Sequence, residues 1–329
     1  PLPNALLAIP AILLESVDGE CSVTLSAPAD RIAEAATEWP RWLATPAIAC
    51  APPLKTCRPE TLSERAWIAR VNAALRDIEA GRLDKIVLAR SQKIEANAPF
   101  SAAAVLGQLL VQQPTSLAYA YGNGQHSFVG ATPERLLRRI GQRIDADALA
   151  GTSWPGSLAL SEAKNCHEQA LVVQAVCSAL APFCQKPPVA EAAREHAAGQ
   201  LLHLRSRVAA TVRPGTTLFE LVRALHPTPA IGGFPVAAAL TWLTEHNEQR
   251  NGWYSGALGL LSADGDGEFS VALRSALLDG HTAELQAGAG IVAGSNALHE
   301  LAETSAKLGT LLAALTPPIA ADSGKSISA

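Results

Sequence analysis

Ser255-Gly-Ala-Leu-Gly-Leu-Leu261-Ser-Ala-Asp264-Gly265-Asp266-Gly267-Glu268-Phe-Ser-Val-Ala-Leu-Arg274-Ser-Ala-Leu-Leu278 is the stretch that decides the fold class. Its centre, Asp264 to Gly267, joins two apolar, strand-like runs through residues that tolerate the backbone angles of a tight hairpin. Strands joined this way run antiparallel. A third strand follows at Ala283 to Ile291. Upstream, strand patterns occupy Glu20 to Ser26, Asp84 to Glu95, Leu117 to Tyr121, Ser127 to Ala131 and Leu201 to Val212, and Arg135 to Asp147 is one extended segment entering a turn over Ala150 to Gly156. Helical patterns arrive singly rather than after every strand. Thr61-Leu62-Ser63-Glu64 resembles a capping box opening a helix that Gly81 ends; others cover Ser101 to Gln112, Leu160 to Ala181, Leu218 to Leu225, Val236 to Leu243 and the run through Lys307. This order predicts an α+β fold with large, mainly antiparallel sheets flanked by helices. There is no βαβ repeat, dinucleotide fingerprint, phosphate loop or short-period repeat.

The expected organisation is an irregular N-terminal part (1 to 60), one catalytic domain (61 to 316) and a disordered tail (317 to 329). Net charge of −4 gives no electrostatic case for nucleic acid or an anionic membrane. No run of eighteen apolar residues occurs, and Pro1-Leu2-Pro3-Asn4 lacks a basic leader region, so a cytoplasmic address is expected. The six cysteines show no CxxC pair and read as small core residues in a reducing compartment.

Candidate chemistry concentrates near the C-terminus. Gly288-Ala289-Gly290-Ile-Val-Ala-Gly294 precedes a periodic helix, a combination that lets backbone approach an anion. In that helix Glu300, Glu303 and Lys307 share one face, which is either a solvated ion-paired surface or part of a site. Lys85 shares a strand face with Val87 and Ala89: it is a desolvated base or a strand-end lysine reaching water. Glu168 lies on the apolar stripe of Val172 and Val176, so it meets a cation or joins other carboxylates around a hard divalent ion. Glu134, after Thr132-Pro133, is a general acid or a helix N-terminal charge; His203 is a satisfied core histidine or a catalytic one; Arg274 in its apolar strand suits carboxylate recognition.

Taken in order, Lys85-Ile-Val-Leu-Ala-Arg90, Phe128-Val-Gly-Ala-Thr-Pro-Glu134, Ala150-Gly151-Thr152, Glu168, His203, Leu225-His226-Pro227-Thr228-Pro229-Ala230, Arg274, Gly288-Ala-Gly-Ile-Val292 and Glu300, Glu303 and Lys307 resemble the chorismate-utilising enzymes, the family of isochorismate, salicylate, anthranilate and aminodeoxychorismate synthases. The resemblance implies an isochorismate synthase, an isomerase acting on chorismate. Lys85 would activate water, since ammonia-using members carry glutamine there, and Glu134 would protonate the leaving hydroxyl. Mg²⁺ would be held by Glu168 and Glu303, with Glu300 acting through water. His203 would lie beside the ring carboxylate. Arg274, Tyr254 and the amides near Gly288, Ala289 and Gly290 would hold the enolpyruvyl carboxylate, with Gly151, Thr152 and Lys307 also at the substrate. Ala230 matches isochorismate synthases, whereas salicylate and amino-adding members tend to have threonine; the alternatives are a salicylate synthase or an inactive chorismate binder. Asn165 and Gln169 depart from the acidic residue and histidine common in the family. A monomer is expected, with siderophore or menaquinone biosynthesis as the setting.

Overall fold

The computed structural model describes residues 5–17, 20–43, 64–157 and 159–316. It divides into two compact units, Pro1–Cys50 and Ala51–Ala329. The first holds an antiparallel hairpin of β1 (Ile12–Val17) and β2 (Glu20–Leu25), in register Ile12 to Leu25, and helix α1 (Ile32–Leu43). Of these, only β2 was expected from the sequence. The capping box at Thr61 to Ser63 and the tail beyond Thr316 lie outside the described residues.

In the second unit the elements are α2 (Glu64–Glu79), β3 (Lys85–Glu95), α3 (Ala102–Gln112), β4 (Leu117–Gly122), β5 (His126–Thr132), β6 (Arg135–Ile140), β7 (Arg143–Ser153), α4 (Ala163–Leu180), β8 (Val189–Ala190), β9 (Arg194–Ala198), β10 (Leu201–Thr211), α5 (Leu218–Leu225), β11 (Gly233–Phe234), α6 (Val236–Glu245), β12 (Ala257–Leu261), β13 (Gly267–Val271), β14 (Ser275–Asp279), β15 (Thr282–Val292) and α7 (Ala297–Leu315). They build two antiparallel sheets. One runs β12-β13-β6-β7-β10-β8, with β9 also on β10; the other runs β11-β3-β15-β14-β5-β4. The α+β architecture with helices flanking antiparallel sheets is as the sequence predicts.

Three differences matter. The extended segment 135 to 147 is a hairpin turning at Gly141, whose positive φ of 57° suits glycine, and β7 continues through the expected turn to Ser153. The run Glu268 to Leu278 is two strands that belong to different sheets, broken where Arg274 takes φ of 48°. Cys21 and Cys166 are exposed rather than core; Cys184 is buried.

Apolar burial follows the sheets. Leu136, Leu137, Ile144 and Val208 pack against Val172, Val176 and Leu180 of α4. Val129, Ala276 and Leu285 pack against Leu109 of α3 and Leu308 and Leu311 of α7. Ile86, Leu88, Ala289 and Ile291 pack against Trp67 and Val71 of α2 and Trp242 of α6. The helices therefore cover the outer sheet faces, leaving β3, β7, β10 and β15 to contribute to a cleft.

Candidate active site

A cleft of about 590 Å³, mouth included, is lined from both sheets. Val87, Gly288 and Gly290 come from one, Leu149 to Thr152 and His203 from the other, Glu168 from α4, and Glu303 and Lys307 from α7. Glu134, Ala230, Tyr254 and Arg274 reach it from connections. Of the residues singled out in the sequence, Lys85, Ala289 and Glu300 do not line it.

Gly288 and Gly290 do not form an anion loop. They lie in β15, paired with Ala89 and Val87 of β3. Gly288 O accepts Lys307 Nζ at 2.8 Å, and Ala89 N–H donates to Glu248 Oε1 at 2.7 Å, so that pair faces outward and the alternate pair, Ala289 with Leu88, carries the ladder bonds. Ala289 is thus turned into the core with its amide used by the sheet, and it is removed from the expected ligand-binding residues. The glycines serve closeness instead: a Cβ on Gly290 would sit within 3.0 Å of Glu168 Oε1 and Lys85 Cε.

Lys85 has no exposure, which removes the strand-end reading, and its Nζ lies 2.7 Å from Glu168 Oε1 without an aligned hydrogen bond. Glu168 thereby has the cation that a buried carboxylate requires. No helix begins at Glu134, so that alternative also falls. It sits between β5 and β6, buried, with Thr228 Oγ1 donating to Oε1 at 3.4 Å. Burial raises its pKa to about 7; Lys85 and the Thr228 hydroxyl pull the other way and lose. Near neutral pH this carboxyl is partly protonated, where an ordinary glutamate is ionised.

Gly151, φ 64°, is the extra residue of a bulge: His203 of β10 pairs with Thr152 and Leu204 with Ala150. The bulge turns Gly151 O onto His203 Nδ1 at 3.0 Å, which assigns the proton to Nδ1 and leaves Nε2 to accept from Arg274 Nη2 at 3.0 Å. Burial, then Arg274 and Lys307, hold His203 well below its usual pKa. It is neutral, with both nitrogens engaged, and it holds Arg274 in place at the cleft. Arg274 and Ser255 (φ 63°), beside Tyr254, are non-glycine residues in the left-handed region, so backbone strain collects at the cleft.

In α7, Glu303 Oε1 meets Lys307 Nζ at 2.7 Å, a buried pair rather than a solvated one, and Glu300 Oε1 meets Lys164 Nζ at 2.8 Å. Burial and the neighbouring Glu303 raise Glu300 to about 7; for Glu303, Lys307 and Lys164 outweigh burial and lower it. The ligand atoms of His299, Glu300 and Glu303 lie within 4.8 Å of one another. Glu168, expected as a direct ligand, is outside that group, its Oε1 turned to Lys85. A divalent cation fits the trio: Glu300 has no exposure, and neither oxygen has an aligned hydrogen-bond donor among the described residues.

Sequence reasoning missed several participants. Lys164 precedes Glu168 by one helical turn, a legible signal, and the carboxylates of Glu300, Glu168 and Glu303 raise its pKa despite burial. Arg250 had no local signal, yet it donates to Ile231 O (2.7 Å), Ser255 Oγ (3.1 Å) and Val87 O (3.0 Å), tying three cleft walls together. Asn165 donates to Ala159 O, and Gln169 to Ala148 O and Ser206 Oγ, so both departures anchor α4 beside the sheet.

A cleft lined by a lysine, an arginine and three carboxyl groups suits a small, multiply charged ligand better than a polymer or an apolar one. The family model described as chorismate binding enzyme matches residues 1–316, and the chain belongs to that family. It is 37% identical over 265 residues to the salicylate biosynthesis isochorismate synthase of Pseudomonas aeruginosa, covering 77% of this chain and 55% of that protein. It is 33% identical over 266 residues to isochorismate synthase MenF of Bacillus subtilis, covering 78% and 56%. Its fold matches the menaquinone-specific isochorismate synthase MenF of Escherichia coli with a TM-score of 0.80 at 27% identity, over 93% of this chain and 74% of that one. The chain thus spans about half the length of these curated relatives, 55% and 56%. No helix among the described residues is long and apolar enough to cross a membrane.

Proposed function

We propose that the chain is an isochorismate synthase, adding water at C2 of chorismate as the C4 hydroxyl leaves. The observation that carries this is the arrangement of the cleft: buried Glu134, held by the Thr228 hydroxyl, shares its lining with Arg274, itself held by His203, and with Lys307. A dianionic substrate is held by Arg274 and Lys307, and Tyr254, whose buried phenol stays protonated, offers a donor. Glu134 gives its proton to the departing hydroxyl. Lys85, as the neutral amine rather than the ammonium that meets Glu168, takes a proton from the attacking water, so one proton is given and one taken and the reaction is an isomerisation. Mg²⁺ at Glu300 and Glu303, with Glu168 on the same cleft, supplies positive charge for a ring carboxylate when bound.

The resemblance at Lys85 and Ala230, together with the isochorismate synthases among its relatives, supports water addition without further elimination. The setting is a cytoplasmic monomer feeding siderophore or menaquinone synthesis. Purified chain given chorismate and Mg²⁺, with products separated by chromatography, tests the reading: isochorismate is expected. Salicylate with pyruvate would replace it with a synthase that eliminates, and binding without turnover would make the chain a chorismate-binding protein.

A further inference from the structure

We infer that His299 adds a nitrogen donor to the Glu300–Glu303 pair, so that this site takes borderline divalent ions such as Zn²⁺ through His299 Nε2 more tightly than it takes Mg²⁺. This rests on the reading of Glu300 and Glu303 as cation ligands. His299 is one residue from Glu300 and one helical turn from Glu303, which brings all three donor groups to one side of α7. Their ligand atoms lie within 4.8 Å of one another.

Two further observations point to a ligand. His299 Nε2 is buried and has no hydrogen-bond partner among the described residues, although buried polar atoms are ordinarily paired. Beside it, Glu300 is wholly buried, with Lys164 Nζ 2.8 Å from its Oε1 and no aligned hydrogen bond to its Oε2 among the described residues. The imidazole is also held in place: it lies 5.1 Å, centroid to centroid, from the Trp154 indole at the end of β7, tilted by 34°. A fixed imidazole beside two carboxylates is an N,O donor set. Oxygen-only ligation suits Mg²⁺, whereas an imidazole nitrogen favours the later first-row ions and Zn²⁺.

The test is calorimetric titration of metal-free full chain with Zn²⁺ and with Mg²⁺, for the natural protein, His299→Ala, and His299→Phe, which keeps a ring against Trp154. Zn²⁺ affinity should fall on the order of tenfold or more in both variants, as expected for loss of a ligand, while Mg²⁺ affinity stays within about twofold. Pulsed electron paramagnetic resonance of Mn²⁺-loaded protein should show a ¹⁴N coupling that both variants lose. Unchanged Zn²⁺ affinity, an equal loss for both ions, or no ¹⁴N coupling would overturn the inference while leaving the carboxylate site standing. Failure of either ion to bind the natural protein would instead remove the cation site itself, and this inference with it.

Discussion

Glu134 shows how one side chain's surroundings set its chemistry. Raised to about 7 by burial, it keeps part of its protonated form where an ordinary glutamate is ionised, so a proton-donor role predicts that kcat/KM falls as pH rises through about 7. Glu134→Gln should lose at least roughly 10²-fold in kcat, measured with chorismate; an unchanged rate would remove the residue from the chemistry. Lys85→Ala should abolish hydration while leaving chorismate binding measurable by calorimetry, and near-natural turnover would refute the base assignment. At Gly290 the constraint is space. A methyl there meets Glu168 Oε1 and Lys85 Cε within 3.0 Å, so Gly290→Ala should cost activity through displacement of that pair while the circular dichroism spectrum holds.

Among the elements, β3 carries the most consequence, because it starts at Lys85, pairs with β15 along its whole length and is gripped from outside. Glu248, paired with Arg70 of α2, accepts Ala89 N–H, and Arg250 takes Val87 O. Removing Arg250 leaves carbonyls of β3 and of the Ile231 segment without a donor, at about 1–3 kcal/mol for each buried one. Arg250→Ala should therefore lower Tm and raise the KM for chorismate; Arg250→Lys should restore Tm more than KM, because an ammonium lacks the planar fork that reaches three walls. The helix α7 is fixed at its start by Asn296, whose Oδ1 accepts from Leu298 and His299 N–H, and by Trp67 Nε1 donating to Ala297 O at 3.2 Å. That anchorage sets where Glu300 and Glu303 stand.

Across the second unit, the site lowers stability in return for its chemistry. The folded pKa of Glu134 lies above its ordinary value of 4.5, so folding binds a proton there and stability falls as pH rises from about 4.5 to about 7. Glu134→Gln should then melt at nearly the natural temperature at pH 5 and above it at pH 8; no pH-dependent difference in scanning calorimetry would contradict that burial cost. By itself the sequence determined the antiparallel α+β class, through Asp264 to Gly267 and the single helices, and it marked Glu168, His203 and Arg274 as polar residues in apolar patterns, whose burial requires a partner, Glu134 at its turn, and Glu303 and Lys307 on one face of a helix. Tertiary structure alone decided which partner. The Glu268 to Leu278 run divides between two sheets at Arg274, Ala289 faces the core while its glycine neighbours face the cleft, Glu168 meets Lys85, and Arg250 and His299 join the site. Strand and helix periods fix which residues share a face, whereas the register between strands and the approach of distant helices depend on packing far along the chain, which no local pattern records.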